Sequence, residues 1–205
     1  MKRVDWSSYE VGNGWLLEDF RFDEKDKSIE SLSLSGLNKL RKNKILILPE
    51  VIPDPKIDEV RRLPRVEKIQ PFAFVELEIL EIFLPQSLKE IGERAFEGCL
   101  ASNVHFGGYL ETIKAGAFKK NRFTKLDFPD SLERIGDGAF ANNSIYSLVM
   151  GDNMFEIGER AFAGNPIESI KLGKNLKKIG IKAFPETDVV EKALFDYATS
   201  NQEPN

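Results

Sequence analysis

The pair Ala-Phe returns every 22 residues, at Ala73-Phe74, Ala95-Phe96, Ala117-Phe118, Ala139-Phe140, Ala161-Phe162 and Ala183-Phe184. Four residues before each alanine stands an isoleucine: Ile69, Ile91, Ile113, Ile135, Ile157 and Ile179. Three columns in fixed register across more than half the chain predict a solenoid, in which each unit buries its apolar positions against the next.

Aligned on this pair, the units predict short strands. Apolar-x-apolar triplets occur at 82–84, 104–106, 126–128, 148–150 and 170–172, with outer positions facing a core. A poorer copy, Val60-Arg61-Arg62, places Arg62 where an apolar residue belongs. Pro85, Gly107, Pro129, Gly151 or Gly173 ends each good triplet. An apolar residue then re-enters the core at Val66, Leu88, Leu110, Leu132, Met154 and Leu176. The following Ile-Gly-x-x-Ala-Phe reads as a single helical or 3-10 turn, with Ile and Ala on one face. Gln70 and Lys114 replace its glycine in two copies, so the turn does not demand positive φ at that position throughout. Four residues after each alanine come Leu77, Cys99, Asn121, Asn143 and Asn165. Buried asparagines stacked this way can satisfy backbone groups at a tight bend, and Cys99 reads as a small buried residue in their column.

The wording of residues 84–96 (LPQSLKEIGERAF) and 128–140 (FPDSLERIGDGAF) resembles the BspA-like leucine-rich repeat family. The resemblance covers about residues 45–187, and Ile47-Leu48-Pro49 followed by Val66 to Ile69 looks like the family's first repeat. It implies an α/β repeat: a right-handed solenoid of about six 22-residue units, mostly short parallel strands with short turns, capped at both ends. It also implies a bacterial cell-surface or secreted protein that binds host proteins or matrix.

Residues 1–50 break the period and are expected to cap the first rung, with Trp6, Trp15, Phe20 and Phe22 supplying bulk. Val11 to Trp15 reads as a hairpin turn. The stretch from Ile29 to Leu34 copies Ile167 to Leu172, which predicts a degenerate repeat inside the cap. Repeats are expected over 51–187 and a capping helix over 188–200, starting at Asp188 with Glu191 three residues on. Residues 201–205 should fray.

Solvent-facing strand positions locate a candidate site. The middle residues of the triplets are Arg61, Phe83, His105, Asp127, Val149 and Lys171, flanked by Glu59, Glu81, Asn103 and Lys125. At about 4.8 Å per rung this strip would run roughly 24 Å, with Phe83 and Val149 as apolar anchors on the strand (concave) face. Two readings are open: a platform for a protein or peptide, or an ordinary solvated sheet face. His105 and Asp127 on adjacent rungs could pair as the orienting half of a triad, but no nucleophile completes it, so no enzyme is expected. One His and one Cys cannot build a Cys/His zinc site, and no glycine-rich phosphate loop is present, so no metal or cofactor is expected.

Composition removes further classes. The 29 basic and 33 acidic residues among 205 give a net charge of -4 and no cationic field for nucleic acid. No apolar run approaches the roughly 18 residues needed to insert in a membrane. The start carries a basic pair but no apolar stretch, so no signal peptide is expected in it. An intracellular scaffold with a cytoplasmic partner therefore stands beside the surface reading. The partner and the oligomeric state are not legible.

Overall fold

The computed structural model describes residues 9–54, 56–57 and 59–200. Two antiparallel pairs come first: β1 (Glu10–Gly12) with β2 (Trp15–Leu16), and β3 (Phe20–Asp23) with β4 (Ser28–Leu32). Asn13 and Gly14, both at positive φ, turn the first hairpin. Helix α1 (Leu34–Asn43), capped by the Ser33 hydroxyl accepting from Gly36 N–H, leads to β5 (Ile45–Ile47). Trp6 and residues 201–205 lie outside the described residues.

Each later unit contributes a two-residue strand and then a three-residue strand. These are β6 (Lys68–Ile69), β7 (Glu81–Phe83), β8 (Glu90–Ile91), β9 (Asn103–His105), β10 (Thr112–Ile113) and β11 (Lys125–Asp127). They continue through β12 (Arg134–Ile135), β13 (Ser147–Val149), β14 (Glu156–Ile157), β15 (Ser169–Lys171) and β16 (Lys178–Ile179) to helix α2 (Asp188–Ser200). The six two-residue strands join β4 and β3 in one eight-stranded sheet, ordered β16-β14-β12-β10-β8-β6-β4-β3 and parallel from β16 to β4.

The repeat isoleucine therefore sits on a strand, not in a helical turn. The turn begins one residue later: Ala95 N–H donates to Gly92 O (3.3 Å), and Arg94 between them has φ of 52°. Phe72, Gly116, Gly138, Arg160 and Lys182 hold the same left-handed position, which suits glycine in only two copies. The glycines before the turn serve a different need. A Cβ at Gly92 would lie 2.5 Å from Pro71 N, so the chain there runs against the backbone of the preceding rung.

Between the sheets the phenylalanines stack ring on ring. Phe74, Phe96, Phe118, Phe140, Phe162 and Phe184 follow one another at 5.0 to 5.5 Å with nearly parallel planes. Ala95, Ala117, Ala139 and Ala161 are fully buried beside them. The asparagines close the bend: Asn121 accepts from Ala101 N–H (2.9 Å) and donates to Phe96 O and Phe118 O (2.8 and 3.0 Å). Asn143 and Asn165 repeat the arrangement, and the Cys99 thiol donates to Phe74 O at 2.8 Å in its place.

At the ends, Ile29 pairs with Ile69 in the isoleucine column, not in the Ile167 position its local sequence suggests. The α2 cap is Thr187 rather than Asp188: its hydroxyl accepts from Val190 N–H (3.3 Å) and its carbonyl from Glu191 N–H (2.9 Å). Val190 is buried, Leu194 and Tyr197 pack on the last rung, and Val189 is turned to solvent.

Candidate protein-binding face

The three-residue strands expose their first and third positions, and the register fixes which residues stand side by side. Ile45, Leu46 and Ile47 pair with Glu81, Ile82 and Phe83, which pair in turn with Asn103, Val104 and His105. Ile47 is thus the first member of the strip. Arg61 and Glu59 leave it. Residues 60–62 form a 3-10 turn, and Arg61 forms an ion pair with Glu59 within that turn. The physical reason is an excursion pinned at its base by the Val51–Arg65 bridge and by Ile52 N–H donating to Pro64 O (2.8 Å). Pro53 and Pro64 bound it, and proline cannot donate to a ladder.

The strip is also not continuous. Strands β5-β7-β9 form one three-stranded sheet and β11-β13-β15 another, with no pairing between β9 and β11. Two local changes coincide with the break. Leu100 takes a left-handed φ of 64° at the corner leading to β9, where Cys99 stands in the asparagine column. The small Ala101 then lies beside the large, fully buried ring of Phe123. Val104 is left partly exposed, whereas its column mates Ile82, Leu126 and Leu148 are buried.

The break separates two surfaces of different chemistry. On the β5–β9 side, Phe83 and His105 stack with ring centroids 4.1 Å apart and planes within 7°. The His105 Nε2 lies 2.8 Å from Glu81 Oε1, so its acidic partner is Glu81 and not Asp127. Ile47 and Phe83 are half-buried, leaving apolar surface open beside this pair. On the other side, Asp127 pairs in register with Val149 and Val149 with Lys171, flanked by Ser147 and Ser169. Lys125 Nζ lies 5.4 Å from the centre of the Tyr146 ring. Sequence reasoning missed Ile47 as a strip residue, although Leu48-Pro49 stands after it as Leu84-Pro85 stands after Phe83.

His105 and Asp127 are not brought together as a dyad. Cys99 is fully buried, and desolvation pushes its thiol up to about 12, far from the thiolate a nucleophile needs. Among the described residues no group of three or more His, Cys, Asp or Glu side chains could hold a metal ion. No helix there is long and apolar enough to cross a membrane.

Solved structures show the same architecture. A leucine-rich repeat protein from Bacteroides ovatus aligns over 80% of this chain with a TM-score of 0.63 and 21% identity. This chain spans only 42% of that protein's length. The T. pallidum leucine rich repeat protein aligns over 88% of this chain and 93% of its own, with a TM-score of 0.57 and 19% identity. A leucine rich cell surface protein from Faecalibacterium prausnitzii aligns over 82% of this chain and 50% of its own, at 0.54 and 17%. At these identities the likeness is one of fold. No curated protein sequence gives a significant match. The profile of the BspA type leucine rich repeat region matches residues 67–190 in six copies, a family that suggests a protein-interaction module. Periodicity, stacking and profile together assign the chain: it belongs to the BspA type leucine-rich repeat family.

Proposed function

We propose that this chain is a non-enzymatic protein-binding or adhesion module of a bacterial cell-surface or secreted protein, engaging a protein or peptide partner through its three-residue strands. The observation that carries the reading is the open Phe83–His105 stack, held by Glu81 and bordered by Ile47. Preformed, rigid aromatic surface beside charged groups is the composition of a binding hot spot, because little side-chain entropy remains to be lost on contact. Asp127, Val149 and Lys171 extend the contact across the break as a polar flank. The surface location rests on family membership, and the cell surface protein from Faecalibacterium prausnitzii with the same fold supports it.

The test is capture of partners from host extract and, separately, from lysate of the source cell, with wild type and Phe83→Ala. Capture from host extract that fails in Phe83→Ala, with thermal unfolding unchanged, supports the reading. Equal capture by the variant moves the site to the turns or the ends and overturns it.

A further inference from the structure

The eight-stranded sheet ends in an open edge at β16. Lys178 N–H donates to Phe155 O (3.0 Å) and Gly180 N–H to Ile157 O (2.7 Å), so Ile179 between them turns its own N–H and C=O away from the sheet. No described strand pairs with that side. The side chain tells the same story: Ile69, Ile91, Ile113, Ile135 and Ile157 are at most 1% exposed, whereas Ile179 is 41% exposed. Helix α2 covers Phe184 through Val190 and Leu194 but leaves a groove of about 230 Å³ between itself and the β16 edge. Of the large apolar residues exposed among the described residues, Ile179, Ile181, Val189 and Phe195 all fall at this end.

We propose that this groove takes one added strand from a partner peptide, parallel to β16, with the sequence acid–branched aliphatic–glycine. Each position follows from the ladder already built. In the column of Lys178 unlike charges alternate over the last three rungs: Arg134 and Lys178 flank Glu156 (4.0 and 3.8 Å). Lys178 therefore calls for a carboxylate on the incoming strand. The next position continues the isoleucine column, covering Ile179 and filling the groove against Val190 and Leu194. The third lies in the column where an added Cβ meets the preceding rung, 2.5 Å from Asp137 N at Gly158 and 2.4 Å from Glu159 N at Gly180, which favours glycine, although Gln70 and Lys114 fill the same column on two earlier rungs. Edge backbone supplies affinity in such an addition and the side-chain pockets supply selectivity. The chain itself carries this spelling at Glu90-Ile91-Gly92 and Glu156-Ile157-Gly158, so its own rung is a ready probe.

The experiment titrates the isotope-labelled chain with a blocked synthetic peptide of the sequence of residues 151–160, followed by amide chemical shifts. Saturable shifts confined to residues 176–195 are expected. Affinity should fall at least about tenfold when the peptide carries Ile157→Asp or the protein carries Lys178→Glu. Peptide Glu156→Lys should recover binding to the Lys178→Glu protein. Three results would overturn the proposal: no shifts at millimolar peptide, shifts on the Phe83–His105 face instead, or sedimentation showing that a second copy of the chain already occupies this edge.

Discussion

The carboxamide of Asn143 donates to the carbonyl of Phe118, 3.0 Å away and on the preceding rung. The same nitrogen donates to Phe140 O (3.0 Å), while Oδ1 accepts from Phe123 N–H (3.2 Å). Each asparagine thus ties two rungs together at a buried bend. Replacing Asn143 with Ala orphans the Phe123 N–H where water cannot reach, a loss of about 2–3 kcal/mol. Cys99→Ala should lose only about 1 kcal/mol, since Ile79 N–H already bonds to Leu77 O and Cys99 O (2.8 and 2.9 Å). Urea unfolding of both variants checks the ordering; equal losses would contradict it.

Phe140 packs against Phe118, Phe128 and Phe162 at 5.2 to 5.5 Å, whereas among the described residues Phe184 stacks on the Phe162 ring alone. Truncating Phe140 to Ala removes a fully buried ring between two others and should destabilise by about 3–5 kcal/mol. The same change at Phe184 should destabilise less, because α2 can settle into the space. Calorimetric unfolding of the pair tests this.

These interior columns were legible because they obey one geometric constraint repeated every rung: a bend needs the same amide, and a stack needs the same ring. The strip was harder to read. Five of its middle residues fall on strands as the period requires, from Phe83 to Lys171. Arg61 fails because counting 22 back from Phe83 lands in the proline-bounded excursion, while β5 lies 36 residues before β7, from Ile45 to Glu81. Periodicity sees spacing and not insertions. The break between β9 and β11 was equally hidden, because pairing follows the backbone path, and the left-handed φ at Leu100 leaves no mark on the 22-residue period. The choice of Glu81 by His105 depends on side-chain direction, which column position does not specify.

Asp19 is a buried charge among the described N-terminal residues. Lys39, Ser35 and the Leu16 N–H (2.8 Å) all bond its carboxylate. Burial alone would raise its pKa, but these three partners together hold it below the usual carboxylate value of 3.8. A depressed folded-state pKa gives stability that is present above pH about 4 and is lost as pH falls through the lower folded value. Asp19→Asn should lower stability at pH 7 by on the order of 2–3 kcal/mol. It should also flatten the decline below pH 4, which denaturant titrations at pH 3 and pH 7 would reveal.

Cys99 offers a clean report of global opening. With its thiol buried and raised to about 12, it should resist a thiol reagent at pH 8 in the native state and react fully in denaturant. Rapid native labelling would contradict the closed bend described here.

The β5–β9 half of the strand face is where a partner is expected to bind. Hydrogen exchange of the chain with and without its captured partner tests it most directly. New protection is expected at 45–47, 81–83 and 103–105, lost in Phe83→Ala and retained in Arg61→Ala. Protection confined to the turn side or to the excursion around Arg61, with the strands unchanged, would contradict it.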